Sequence, residues 1–197
     1  MTQRRDRAVR GRRRISGLVP CLILATAGCA ALNQAQAPSL DTIAQAMPQQ
    51  LAGFTLGETA RRPGPSLSLD YATPNRGAVG SVLIFGGATP APSDPAAPGI
   101  DRELTAAVAE LSEAPQGRTG RRLAEQERVT LAEAGLRCAV LTGAFGRAPV
   151  VRHVCIGGAQ GRFVKVQVTM AERRPAQADP TAFAAAALQA VRGAGAS

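Results

Sequence analysis

Few residues in this chain have side chains that can do chemistry: one histidine, His153, and four cysteines, Cys21, Cys29, Cys138 and Cys155. A histidine can serve as a general base near neutral pH, and His153, with the neighbouring Arg152 and Lys165, would suit an anionic substrate. Any serine-histidine-aspartate set would have to use His153, and no serine stands in a nucleophile-elbow setting. Asp70, Glu125 or Glu127 could supply the paired carboxylates of a glycosidase, yet their surroundings are those of solvated surface charges. "GGAQG" at 157–161 looks like a phosphate loop, but it joins two strand-like runs rather than a strand and a helix, so it reads as a hairpin turn. One histidine without clustered carboxylates gives no zinc or transition-metal site. No catalytic, cofactor-binding or metal-ligating set is assigned, no cofactor is called for, and the chain leans away from being an enzyme.

Cys138 and Cys155 fall into a pattern. "LRCAVLTGAF" and "APVVRHVCIGG" flank Gly146-Arg147. With those two residues as the turn, Cys138 stands opposite Cys155 in a non-hydrogen-bonded pair, where Cα atoms are about 4.5 Å apart and a disulfide fits. A second turn, at Ala159-Gln160, would pair Val151, His153 and Cys155 with Val168, Val166 and Val164. The disulfide and the valines then share an inward face, on which His153 reads as a structural residue. The opposite face carries Arg137, Arg152, Lys165 and Gln167 together with Leu141, Val154, Ile156 and Phe163, so part of it is expected to be covered. The bond reads as a staple, because neither a Cys-x-x-Cys pair nor a helix N-terminus is present to activate a thiol.

The N-terminus carries seven arginines against Asp6 within residues 1–14, followed by an uncharged stretch from Ile15. This is the charged and apolar pattern of an export signal. The strongest apolar part, Gly17 to Ala27, contains Pro20 and is short of the roughly 20 residues that a spanning helix needs. A cleaved signal is favoured over a permanent anchor, and both place the body outside. Three cuts compete: after Ala27, after Ala37, and before Cys29, where Thr26-Ala27-Gly28-Cys29 resembles the lipobox of bacterial lipoproteins. The departure is Thr26, where that family usually has leucine. The resemblance implies a diacylglyceryl group on Cys29. Cutting after Ala27 would strand an odd thiol in an oxidising compartment, and cutting after Ala37 would put Pro38 first, so lipidation of Cys29 leads.

The formal charge of +9 invites a nucleic-acid reading, but residues 1–28 carry +6 of it, and the sixteen basic and thirteen acidic residues that follow leave +3. With one Tyr, five Phe and no Trp to stack on bases, a nucleic-acid partner is excluded. The expected layout is a signal peptide over 1–28, a flexible tether over 29–38, a single domain over 39–192 and a disordered tail over 193–197.

Within the domain, Ser39 caps a short helix carrying Leu40, Ile43 and Met47 and ended by Pro48. Strands follow from Gly53, Ser66 and Ala78; the second alternates Leu67, Leu69 and Tyr71 with polar residues, and "TPNRG" turns it into the third. The proline- and glycine-rich 86–99 is expected to be an exposed, disordered loop. Asp101 is expected to cap a helix to about Glu113 with Leu104, Ala107, Val108 and Leu111 buried. "APQGRTG" breaks the chain, a strand runs from Leu123 to Leu131, the hairpins above follow, and Asp179 caps a last helix that buries Phe183, Ala187, Leu188 and Val191 and stops at Gly193.

These elements give the α+β class, a single antiparallel β-sheet with helices packed on it in a sandwich-like arrangement. In element order over about residues 50–192 the chain resembles Mog1/PsbP-like domains, and as a whole it resembles small exported bacterial lipoproteins of unknown function. The first resemblance implies a non-catalytic accessory domain that docks to a larger partner. The expectation is an exported envelope protein on the periplasmic face of a bacterial membrane or in the soluble periplasm, attached to the membrane through an N-terminal lipid. It would act as a binding or accessory module with an envelope protein as partner. The alternatives are an enzyme using His153 on an anionic substrate, and a purely structural envelope component.

Overall fold

The computed structural model describes residues 37–86, 89–113, 122–173 and 175–194. The expected signal segment, Cys29, the expected tether up to residue 36, the expected breaker at 114–120 and residues 195–197 lie outside them. From the first described residues the chain enters α1 (Leu40–Ala46), where the Ser39 hydroxyl accepts a hydrogen bond from the Thr42 amide at 3.1 Å. This cap satisfies one of the helix's orphan donors, and Pro48 bars its continuation. Leu40, Ile43 and Met47 are buried.

Eight strands follow in two runs. The first run is β1 (Gln50–Leu51), β2 (Phe54–Arg62), β3 (Ser66–Ala72) and β4 (Ala78–Phe85); the second is β5 (Arg122–Leu131), β6 (Leu136–Phe145), β7 (Ala148–Ala159) and β8 (Arg162–Ala171). They form one antiparallel sheet in the order β1-β2-β3-β4-β8-β7-β6-β5. Each run is a meander of neighbours, and the runs join where β4 pairs with β8. The link from β4 must therefore cross β8, β7 and β6 to reach β5 at the far edge. It carries α2 (Pro98–Ser112) over one face, packed on β5, β6 and β7. After β8 the chain returns over the other face as α3 (Pro180–Gly193), packed on β7, β8, α1 and β1. Asp179 caps it through the Thr181 and Ala182 amides, both at 2.9 Å.

The two faces bury separate cores. Under α1 and α3 lie Leu67, Leu69, Tyr71, Val82, Ile84, the disulfide and Val164, Val166 and Val168. Phe183 of α3 is fully buried there, its ring centroid 4.4 Å from that of Phe54 and 5.4 Å from that of Tyr71. Large apolar side chains of this kind contribute about 1.5–3 kcal/mol each on burial. Under α2 lie Ile100, Leu104, Ala107, Val108 and Leu111 against Leu123, Ala139, Leu141, Val154 and Ile156. The apolar positions expected to need a cover on the arginine-bearing face thus receive α2.

Three expectations are corrected. α2 starts at Pro98, not behind Asp101: Ala97 occupies the cap position and proline the first turn, where its missing amide costs nothing. Asp101 instead faces β6, its Oδ1 3.0 Å from Nε of Arg137. Residues 89–97 are not a disordered loop. Ala91 N donates to the Gly161 carbonyl at 3.0 Å, and the backbone of Pro92 lies so close to Gly158 that a β carbon there would come within 1.9 Å of the Pro92 carbonyl oxygen. Finally, the β7–β8 turn is Gln160-Gly161, so Cys155 pairs with Val166, His153 with Val168 and Val151 with Met170. Gln160 and Gly161 both have left-handed φ, 52° and 70°, the geometry of a two-residue hairpin turn. The shift relative to the expected pairing is two residues, so every side chain keeps its face.

Candidate functional site

The β6–β7 register is the expected one, with Cys138 opposite Cys155. The two form a disulfide, their Cα atoms 4.0 Å apart and both side chains buried beneath α3. Nothing in that setting exposes the sulfurs to a substrate, and the bond is a staple within the core.

His153 is on the same face, half-buried between its cross-strand neighbours Val140 and Val168. Burial holds its pKa below the usual value, against the opposing pull of Asp179 and Glu127. Arg152 and Lys165, the cations suggested as its helpers, point to the other face. Alternation along β7 puts the sheet between Arg152 and His153, so the three side chains do not share a cavity. Asp70 lies on that other face; Glu125 and Glu127 lie on the edge strand β5, where Glu125 pairs with Arg128. The suggested carboxylates are therefore not brought together. Among the described residues, no three His, Cys, Asp or Glu side chains could hold a metal ion, and no helix is long and apolar enough to cross a membrane.

What the structure does assemble is a hollow on the half of the sheet that α2 leaves uncovered. Cross-strand pairing builds its floor in rows. Thr55, Ala72, Val79, Thr169 and Arg152 form one, Asp70, Ser81, Gln167 and Val154 the next, and Ser68, Leu83, Lys165 and Ile156 a third. In the first two rows β2, β3 and β4 contribute only short side chains, and Gly57 beside Asp70 contributes none. Residues long enough to fill the space are absent there, and a cavity of about 440 Å³ results, lined also by Tyr71 and Gly80. Val79, one of its lining residues, is 49 % exposed.

Cations stand at both ends. Arg152 Nε donates to Thr169 Oγ1 at 2.7 Å while its guanidinium lies 5.5 Å from the Phe145 ring centroid, a contact of the cation–π type. Arg76 reaches the same end from the β3–β4 turn, where it adopts φ 53°. That turn is tied down: Ala78 N donates to Thr73 Oγ1 and Gly77 N to Asn75 Oδ1, each at 3.0 Å. Toward the other end a second cavity of about 430 Å³ shares Asp70, Ser81 and Gln167 and is bordered by Arg62 and Lys165. Lys165 Nζ donates to Glu110 Oε2 of α2 at 3.0 Å. Tyr71 turns its ring into the opposite core, where its hydroxyl donates to the Pro48 carbonyl at 2.9 Å and burial pushes its pKa up to about 12. It is a structural phenol.

Alternation in the sequence had already put Arg152, Lys165 and Gln167 on one face. It had not shown that Thr55, Asp70, Ser81 and Arg76 join them, because that depends on β4 pairing with β8 across the length of the second meander. No family model matches the chain, and no curated protein matches it.

Proposed function

We propose that this protein is an exported, lipid-anchored, non-enzymatic module of the bacterial envelope, held to the membrane through Cys29, that binds a partner on the uncovered half of its sheet. The observation that carries the binding role is the hollow itself. A face that served only to meet water would be filled by long solvated side chains, whereas this one is floored by Thr55, Ala72, Ser81 and Gly57 and walled by arginine. The buried Cys138–Cys155 bond supports an oxidising compartment. The arginine-rich start and the Thr26-Ala27-Gly28-Cys29 sequence support export and acylation.

The test is the non-reduced intact mass of the protein from the membrane and soluble fractions of its host, followed by mild crosslinking. The expected result is a membrane-bound species that starts at Cys29, carries acyl mass and is two hydrogens light, with a crosslinked envelope protein. A soluble, unacylated species would remove the anchor, and the absence of any crosslinked protein would count against the module.

A further inference from the structure

We infer that the hollow is a binding site for a small amphipathic anion, an organic acid whose charged group sits between Arg76 and Arg152 and whose short apolar body lies over Val79. The inference rests on the reading of the open face as a binding surface but not on membrane attachment.

Three observations carry it. The first is volume: about 440 Å³ falls within the roughly 300–1,000 Å³ of small-molecule sites. The second is the preset donor. Arg152 is oriented by Thr169 and by the ring of Phe145, so its planar fork is fixed before any ligand arrives, the condition under which arginine recognises carboxylate or phosphate well. Arg76 enters the same end from a turn held by Thr73 and Asn75. The third is the distribution of polarity. Alongside Arg152, in the same row, the floor is Ala72 and Val79 with the Gly80 backbone next to them, and the exposed Val79 gives an apolar chain something to cover. Among the described residues the single carboxylate lining this cavity, Asp70, stands one row farther along, about 7 Å at the rise of a β-strand. It would repel an anion that slid inward, which fixes the charged group at the arginine end.

The test is a titration of the ¹⁵N-labelled full chain with sodium octanoate, read by amide shifts, with inorganic phosphate and submicellar octyl glucoside as separate arms. Saturable shifts at Val79, Gly80, Ser81 and Thr169 are expected. The octanoate Kd should rise about tenfold in Arg76→Gln, an exposed turn position whose loss leaves the core untouched, and more in Arg152→Gln. It should fall severalfold in Asp70→Asn. Equal binding of octyl glucoside, or an octanoate affinity indifferent to Arg76→Gln, would overturn the anionic head group. Phosphate binding as tightly as octanoate would overturn the apolar body. Crosslinks to a protein through this face with no octanoate effect would overturn the ligand class while leaving the binding module standing.

Discussion

His153 sits where valines are the natural occupants, and that placement has a pH signature. Its folded-state pKa is lowered, mainly by burial, so protonation favours the unfolded chain. The histidine's share of stability is therefore complete above its unfolded value of about 6.5 and is lost as the pH falls from there toward the lower folded value. Denaturant midpoints measured between pH 7.5 and 5.5 should fall for the parent. The fall should be smaller for His153→Val, with both proteins converging at the upper end apart from a constant offset. An equal slope in the two would show that His153 titrates alike folded and unfolded. The residue's place on the inward face was legible in the sequence, because alternation put it among Val151, Cys155 and the β8 valines. What alternation also implied, that Arg152 faces away from it, removes the catalytic grouping its neighbours in sequence suggest.

At the level of elements, the hairpin of β6 and β7 could be read residue by residue, since Gly146 marks a two-residue turn and the cysteines check the register. The β7–β8 hairpin could be read only to within one pair, because "GGAQG" offers several glycine-flanked turns and the valine pattern repeats every second residue. The start of α2 was misplaced because a proline at the first turn and an acidic residue three positions on are both helix-start signals. The order of 89–97 was hidden for a different reason. Proline and glycine content argues for disorder, and the feature that opposes it is remote in sequence: Gly158, which lets the Pro92 backbone close against β7. Gly158→Ala would place a methyl group 1.9 Å from the Pro92 carbonyl oxygen. The backbone must then move, at a cost of about 1–3 kcal/mol. The expected outcome is a lower denaturant midpoint together with new proteolytic cleavage within 89–97; unchanged cleavage would mean that the segment is held by other contacts.

For the whole molecule, the α+β class and the antiparallel sheet followed from the element order, but the open half-face did not. It arises from β4 meeting β8 and from α2 being too short to cover more than its own half of the sheet, neither of which has a local signal. The disulfide belongs to this scale because it acts on the unfolded chain. Cys138 and Cys155 are 17 residues apart, and closing a loop of that size is worth about 3 kcal/mol in the chain-entropy model. Replacing both by alanine should lower unfolding free energy by about that amount plus a smaller loss of buried volume. A change under about 1 kcal/mol would show that the reduced chain already holds the hairpin together.

The pairing of β4 with β8 has a consequence for the order in which the protein is made. Each meander consists of contacts between successive strands, which close quickly, whereas the β4–β8 seam joins segments separated by the entire second half of the domain and must await it. Cys138 and Cys155 both lie within one hairpin of the later meander. As the chain emerges, β1 to β4 can assemble first, the disulfide can close in the β6–β7 hairpin before β8 follows, and the seam closes once β8 is in place. The edge of β4 therefore waits for β8, and what the disulfide locks in register is the β6–β7 hairpin on which β8 assembles.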